Sequence, residues 1–239
     1  GKTSSGDCAF SFGVDISEGH GLSVFGGTLT GIGGESFDTE EPSNARESFS
    51  EGIDIYKSNV TVSGNGKIVT ETVADMADKG LSYGLRINIG NLYVSDSASF
   101  TAAASHAINI PNGDLKLSGG KISALGTNDG VSAVTVGRDW FSTANGNIEV
   151  SGGEFECSGG IYMDGYNAGE GQAMFSVTGG KVTANHIYGP NKLTVSIGTV
   201  ISGHINADTV QLQSGSLTVR EAVRKYPNRN DLMYASHAI

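Results

Sequence analysis

The amino-acid sequence predicts an all-β fold: a single parallel β-helix of about eight three-sided coils across residues 21–219, with a cap at 1–20 and a cap or tail at 220–239. Three observations carry the prediction. A short frame of alternating apolar and polar residues recurs eight times, most copies turn at a glycine-rich corner, and a further alternating segment follows most of them. Glycine accounts for 36 of the 239 residues, about 15% of the chain where about 7% is usual. Leu, Ile, Val and Phe together reach about 23%, enough to bury a lean core and to exclude disorder as the main state.

In chain order, residues 8–17 alternate through Phe10, Phe12, Val14 and Ile16, which suits a strand covering the first coil. The frame then appears as Leu22-Ser23-Val24, Val60-Thr61-Val62 and Leu92-Tyr93-Val94. It is fuller at Leu115-Lys116-Leu117-Ser118-Gly119-Gly120-Lys121-Ile122 and at Ile148-Glu149-Val150-Ser151-Gly152-Gly153-Glu154-Phe155. The last three copies, at Phe175, Leu193 and Val210, align without a gap at offsets of 18 and 17 residues. Period-two alternation means short strands, and a glycine pair means a corner too cramped or too left-handed for a Cβ.

The third alternating segments are Ile53-Asp54-Ile55, Ile87-Asn88-Ile89, Ile108-Asn109-Ile110, Val134-Thr135-Val136, Ile161-Tyr162-Met163, Ile187-Tyr188 and Ile205-Asn206. Three strands in a minimal unit make a three-sided coil, and eight coils at about 4.8 Å make a rod of roughly 40 Å. Equivalent residues such as Leu92, Leu115, Ile148, Phe175, Leu193 and Val210 then stack into internal ladders. From Arg220 the frame stops, and Glu221 to Tyr226 reads as one or two helical turns before Pro227. Caps at both ends would cover strand edges that otherwise recruit another chain.

Before Val177 the copies lie further apart than the minimal unit, so the excess leaves as loops. Residues 34–51 form the most acidic one, with Glu35, Asp38, Glu40, Glu41, Glu47 and Glu51 against Arg46 alone. Residues 137–147 form another, in which Arg138 and Asp139 precede Trp140, the only tryptophan, and Phe141. The formal charge of -10, from 15 Lys and Arg against 25 Asp and Glu, opposes binding to a nucleic-acid backbone. Nucleotide-binding glycine motifs are absent, and no apolar run approaches the roughly 20 residues of a membrane-spanning helix. The chain opens at Gly1 without a methionine or a charged-then-apolar leader, which reads as a start trimmed of any export signal. Cys8 and Cys157 are too few for a disulfide scaffold. Cys157 stands where other copies have Ala124 and Ala184, a place for a small buried side chain, and a Cys8–Cys157 bridge is the alternative.

From His106-Ala107-Ile108 through Gly113-Asp114-Leu115-Lys116-Leu117-Ser118-Gly119-Gly120-Lys121-Ile122-Ser123-Ala124 to Asn128-Asp129-Gly130-Val131, the chain resembles bacterial extracellular carbohydrate-binding β-helix domains. Their repeats alternate a His/Asp-Gly-Ile step with a Gly-x-Ile-x-Ala step. The resemblance covers residues 84–219. It implies a right-handed β-helix of the kind shared with pectate lyases, a place outside the cell or on the bacterial surface, polysaccharide ligands that include acidic sugars, and bound calcium. The Asp-Gly step stands clearly at Asp129-Gly130 alone, with His106-Ala107 and His186-Ile187 in its place elsewhere, so calcium rests on the resemblance and no residue is assigned to hold it.

The outward residues of the third segments, Asp54, Asn88, Asn109, Thr135, Tyr162, Tyr188 and Asn206, fall in one column along successive coils. Amides and hydroxyls hydrogen-bond sugar hydroxyls, and a tyrosine ring covers a sugar's C–H face. The same ladder also stabilises any stacked sheet, and both readings follow from the pattern. The expected ligand-binding residues are Trp140, Tyr162, Tyr188, Asn109, Asn206 and Arg138, with Arg138-Asp139 set either to grip a uronate or to pair with each other.

No catalytic residue is expected. A lyase would need clustered carboxylates on calcium beside an Arg or Lys base, whereas the body offers Arg86 and Arg138, with Asp114, Asp129 and Asp164 at different points of their coils. A glycosidase needs two carboxyls about 5 to 10 Å apart, for which Asp139 and Asp164 are the thin candidates. His186 and His204 align in adjacent coils, two imidazoles short of the further ligands a zinc site takes. The expected function is an extracellular, non-catalytic polysaccharide-binding or adhesin module at a bacterial surface. The alternatives are a structural stalk without a glycan ligand and a polysaccharide lyase.

Overall fold

Alternation at period two leaves each segment with one apolar face, which is buried only by packing against another sheet. In the computed structural model, which describes residues 10–34, 49–72, 81–126, 133–137, 145–163 and 173–220, these segments form 21 strands, and no helix occurs among those residues. The first are β1 Phe10–Ile16, β2 Leu22–Val24, β3 Thr28–Gly33, β4 Phe49–Ile55, β5 Val60–Val62, β6 Lys67–Thr72 and β7 Leu81–Ile87. Next come β8 Leu92–Val94, β9 Ser99–Ala104, β10 His106–Ile110, β11 Leu115–Leu117, β12 Lys121–Gly126, β13 Val134–Val136 and β14 Ile148–Val150. The last are β15 Glu154–Met163, β16 Met174–Val177, β17 Lys181–Tyr188, β18 Lys192–Val195, β19 Thr199–Asn206, β20 Thr209–Leu212 and β21 Ser216–Val219.

Among the described residues all strand pairing is parallel, and each strand pairs with its counterparts in the neighbouring repeats. Eight strands, β2-β5-β8-β11-β14-β16-β18-β20, form one sheet, one strand for each copy of the frame. The other thirteen form a second, in which the series β1-β4-β7-β10-β13 and β3-β6-β9-β12 meet at β15. This ten-residue strand pairs with β12 through Glu154–Cys157 and with β13 through Ile161–Met163. Beyond it, β17, β19 and β21 extend the sheet.

The register confirms the apolar ladders. Leu92, Leu115, Ile148, Phe175, Leu193 and Val210 stand opposite one another in turn, and the first five have no solvent exposure. Ala124, Cys157 and Ala184 form another rung, with Cys157 buried and its thiol free. Towards both ends of the chain the same kinds of position, Val14, Leu22 and Leu29 or Ile205, Val210 and Leu217, are only partly buried, because each has a stacking neighbour on one side alone.

Two devices hold the corners. At Gly153 and Gly180 φ is positive, at 77° and 70°, and an added Cβ would sit 2.5 and 2.6 Å from the carbonyl oxygen of Gly120 and Gly153 respectively. Only glycine allows that approach between successive repeats. At the entry to the eight-stranded sheet, side chains relay hydrogen bonds from repeat to repeat. Asn59 Oδ1 accepts from the Asn91 backbone N at 2.8 Å, Asn91 Oδ1 from Asp114 N at 2.8 Å, and Asp114 Oδ1 from Asn147 N at 2.9 Å. Asn147 Oδ1 then accepts from Met174 N at 3.1 Å.

One expected frame shifts. The third segment of the second full repeat is Leu85-Arg86-Ile87, not Ile87-Asn88-Ile89, because Ile53, Leu85 and Ile108 share a rung. Leu85 and Ile87 are fully buried, whereas Ile89 is 42% exposed. Both frames alternate, and burial selects the one whose apolar pair faces the core. Cys8, most of the acidic segment, the expected helical turns after Arg220 and Asp129-Gly130 lie outside the described residues.

Candidate functional site

Parallel pairing in register places the outward residues of successive repeats one strand spacing apart, about 4.8 Å. On the thirteen-stranded sheet they form a column of Asp15, Asp54, Arg86, Asn109, Thr135, Tyr162, Tyr188 and Asn206. Asn109, Tyr162, Tyr188 and Asn206 are thus brought together as the sequence leads one to expect. Arg86 takes the place expected for Asn88, which lies past the end of β7. Trp140 and Arg138 lie outside the described residues, as do Asp139 and Asp164.

The two ends of the column differ in chemistry. At one end the rings of Tyr162 and Tyr188 stack, with centroids 5.2 Å apart and planes inclined by 21°. Tyr188 is 37% exposed and Tyr162 is half-buried beside it. At the other end the outward residues are ionised or ionisable, and a second column of Phe12, Glu51, Tyr83 and His106 runs beside them.

Glu51 and Arg86 join these columns. Arg86 Nη1 donates to Glu51 Oε1 at 2.9 Å, and its guanidinium lies 5.4 Å from the centroid of the Tyr83 ring. That ring is in turn 5.3 Å from the His106 imidazole. Asn88 Nδ2 donates to Asp54 Oδ1 at 3.2 Å. The Glu51 side chain has no solvent exposure, and its Oε2, like Arg86 Nε, has no hydrogen-bond partner among the described residues. Burial pushes the Glu51 carboxyl up to about 7, with the Asp54 charge adding to the effect and Arg86 opposing it. Burial raises Asp54 as well, against the pull of Arg86. The cluster therefore holds a proton close to neutrality. Glu51 itself is sealed from solvent and does not meet a ligand on the outer face. Its carboxyl ties β4 to β7 and sets the charge at that end of the column.

The sequence reading missed this cluster by counting Glu51 with the acidic loop. The structure places it in β4. A signal for it exists: Ser50-Glu51-Gly52-Ile53-Asp54-Ile55 matches Ser11-Phe12-Gly13-Val14-Asp15-Ile16 and Ser82-Tyr83-Gly84-Leu85-Arg86-Ile87. Ser105-His106-Ala107-Ile108-Asn109-Ile110 continues the pattern. Its serines are structural, with Ser82 Oγ and Ser105 Oγ 2.9 Å apart and each accepting from the other's backbone N–H.

His186 and His204 are paired in register, as their alignment predicts. The His186 ring occupies the space left by Gly160, where an added Cβ would overlap the imidazole. Among the described residues no three His, Cys, Asp or Glu side chains converge to hold a metal ion. Asp114, one of the carboxylates weighed for catalysis, is taken up in the corner relay and lies 3.6 Å from Lys116 Nζ. No helix among the described residues is long and apolar enough to cross a membrane. Compared with family models, with curated proteins and with solved structures, the chain matches none.

Proposed function

We propose that the strands wind as a single right-handed parallel β-helix of three-sided coils, and that the chain is a non-catalytic carbohydrate-binding or adhesin module working at the surface of a bacterial cell. Parallel strands joined by a crossover connection do so right-handedly in about 98% of cases, which supports the handedness. The observation that carries the function is the Tyr162–Tyr188 stack, with Tyr188 exposed and Tyr162 half-buried, in a column that continues past the buried Thr135 to Asn109 on one side and through Asn206 on the other. An aromatic face covers the C–H face of a sugar while neighbouring amides and hydroxyls take its hydroxyls. Two rings one strand spacing apart make one patch rather than two successive subsites.

A structural stalk without a glycan ligand is the second reading, and the same stack favours it, because aromatic pairs also stabilise neighbouring strands. Retention on immobilised plant and mucosal polysaccharides, with and without Ca²⁺, separates the two. The binding reading expects retention by the unaltered chain and about five- to tenfold weaker retention by Tyr188→Ala, with a nearly unchanged melting temperature. Retention on no glycan, or a large fall in the melting temperature of the variant, would support the stalk.

A further inference from the structure

We propose that the eight-stranded sheet carries a second ligand site, a groove over Tyr93, Lys116 and Glu149 that takes a single neutral pyranose ring. These three residues stand directly opposite one another on β8, β11 and β14, with their side chains on the outer face. Ser95, Ser118 and Ser151 follow at the corner of the same three repeats, and together these six line a groove of 180 Å³ floored by Val94 and Leu117.

The lining is unlike the rest of that face. Elsewhere the column holds Ser23, Thr61, Ser176, Thr194 and Gln211, with no aromatic ring. In a later repeat the corner hydroxyl is used within the protein, where Ser196 Oγ donates to Gln213 Oε1 at 2.9 Å. In the groove, the hydroxyls of Tyr93, Ser118 and Ser151 make no hydrogen bond among the described residues, and only Ser95 is engaged, with Asp96. Lys116 Nζ is ion-paired with Asp114 at 3.6 Å and with Glu149 at 3.9 Å, contacts longer than a hydrogen bond. The pair holds the ammonium over the groove while its N–H groups and the Glu149 oxygens can still hydrogen-bond a ligand.

Each part of this set has a counterpart on a sugar. The Tyr93 ring offers an apolar face, Lys116 donates, Glu149 accepts, and the serine hydroxyls do either. The positive charge of Lys116 is outweighed by Asp114 and Glu149, so the site does not favour an anionic ligand. The volume falls below the roughly 300 Å³ of pockets for drug-sized molecules, which suits a single ring. The site shares its ligand class with the reading of the Tyr188 face but shares no residue with it.

Saturation-transfer NMR of the whole chain with methyl β-glucopyranoside, methyl β-galactopyranoside and methyl β-mannopyranoside tests the proposal. Transfer to the ring C–H protons of at least one probe is expected to persist in Tyr188→Ala, which silences the other face, and to weaken about five- to tenfold when Tyr93→Ala is added to that variant. Lys116→Met in the same background, which keeps the stem but removes the donors, should weaken binding too and guards against a folding effect of Tyr93→Ala. No transfer with any probe, or transfer undiminished in both groove variants, would overturn the proposal. Loss in Tyr188→Ala alone would also overturn it, while leaving the reading of the other face intact.

Discussion

The buried Glu51 carboxyl makes the stability of the protein depend on pH in a direction that can be worked out. Its pKa is raised from 4.5 to about 7, chiefly by burial. The native state thus binds this proton more tightly than the unfolded chain does. The resulting stabilisation is complete below the unfolded value and is lost as pH rises through the native one. Between pH 5 and pH 8 the expected loss from this group is roughly 2 to 3 kcal/mol. Asp54, also raised by burial, acts in the same sense. Glu51→Gln keeps an oxygen for Arg86 Nη1 but cannot ionise, so it should remove most of the slope. Urea unfolding followed by circular dichroism at pH 5, 6, 7 and 8 measures both. The unaltered chain should unfold at progressively lower urea as pH rises, and Glu51→Gln should change little. A midpoint that is flat or rises with pH, or a variant that keeps the full slope, would refute the assignment.

Two further outcomes follow from the packing. Gly153→Ala forces a Cβ to within 2.5 Å of the Gly120 carbonyl at a φ of 77°, and should destabilise the fold by about 2 kcal/mol or more, seen as a lowered urea midpoint. Burial pushes the Cys157 thiol up to about 12, so iodoacetamide at pH 8 should leave the Cys157 peptide unlabelled in the native protein and label it in denaturant, as read by mass spectrometry. Rapid native labelling would place Cys157 outside the core.

How much of the protein could be read from its sequence depends on whether the cause is local. Alternation along a strand and the glycine pair at a corner are properties of a few consecutive residues. For that reason the strands, the eight copies, the Leu92 to Val210 ladder and the column of Asn109, Tyr162, Tyr188 and Asn206 were legible, down to the rung shared by Ala124, Cys157 and Ala184. Where two local patterns overlapped, sequence could not choose. Leu85-Arg86-Ile87 and Ile87-Asn88-Ile89 alternate equally well, and stacking on Ile53 and Ile108 selected the first.

Charge and burial depend instead on distance through space. Glu51 and Arg86 are 35 residues apart in the chain and 2.9 Å apart in the fold. Among its acidic neighbours in sequence Glu51 looked like part of a solvated loop, and only its place in β4 seals it from water and raises its pKa. Likewise, nothing along the chain joins Tyr93 to Lys116 and Glu149. Parallel pairing of β8, β11 and β14 does so, because each repeat sets its outward residue directly above that of the repeat before.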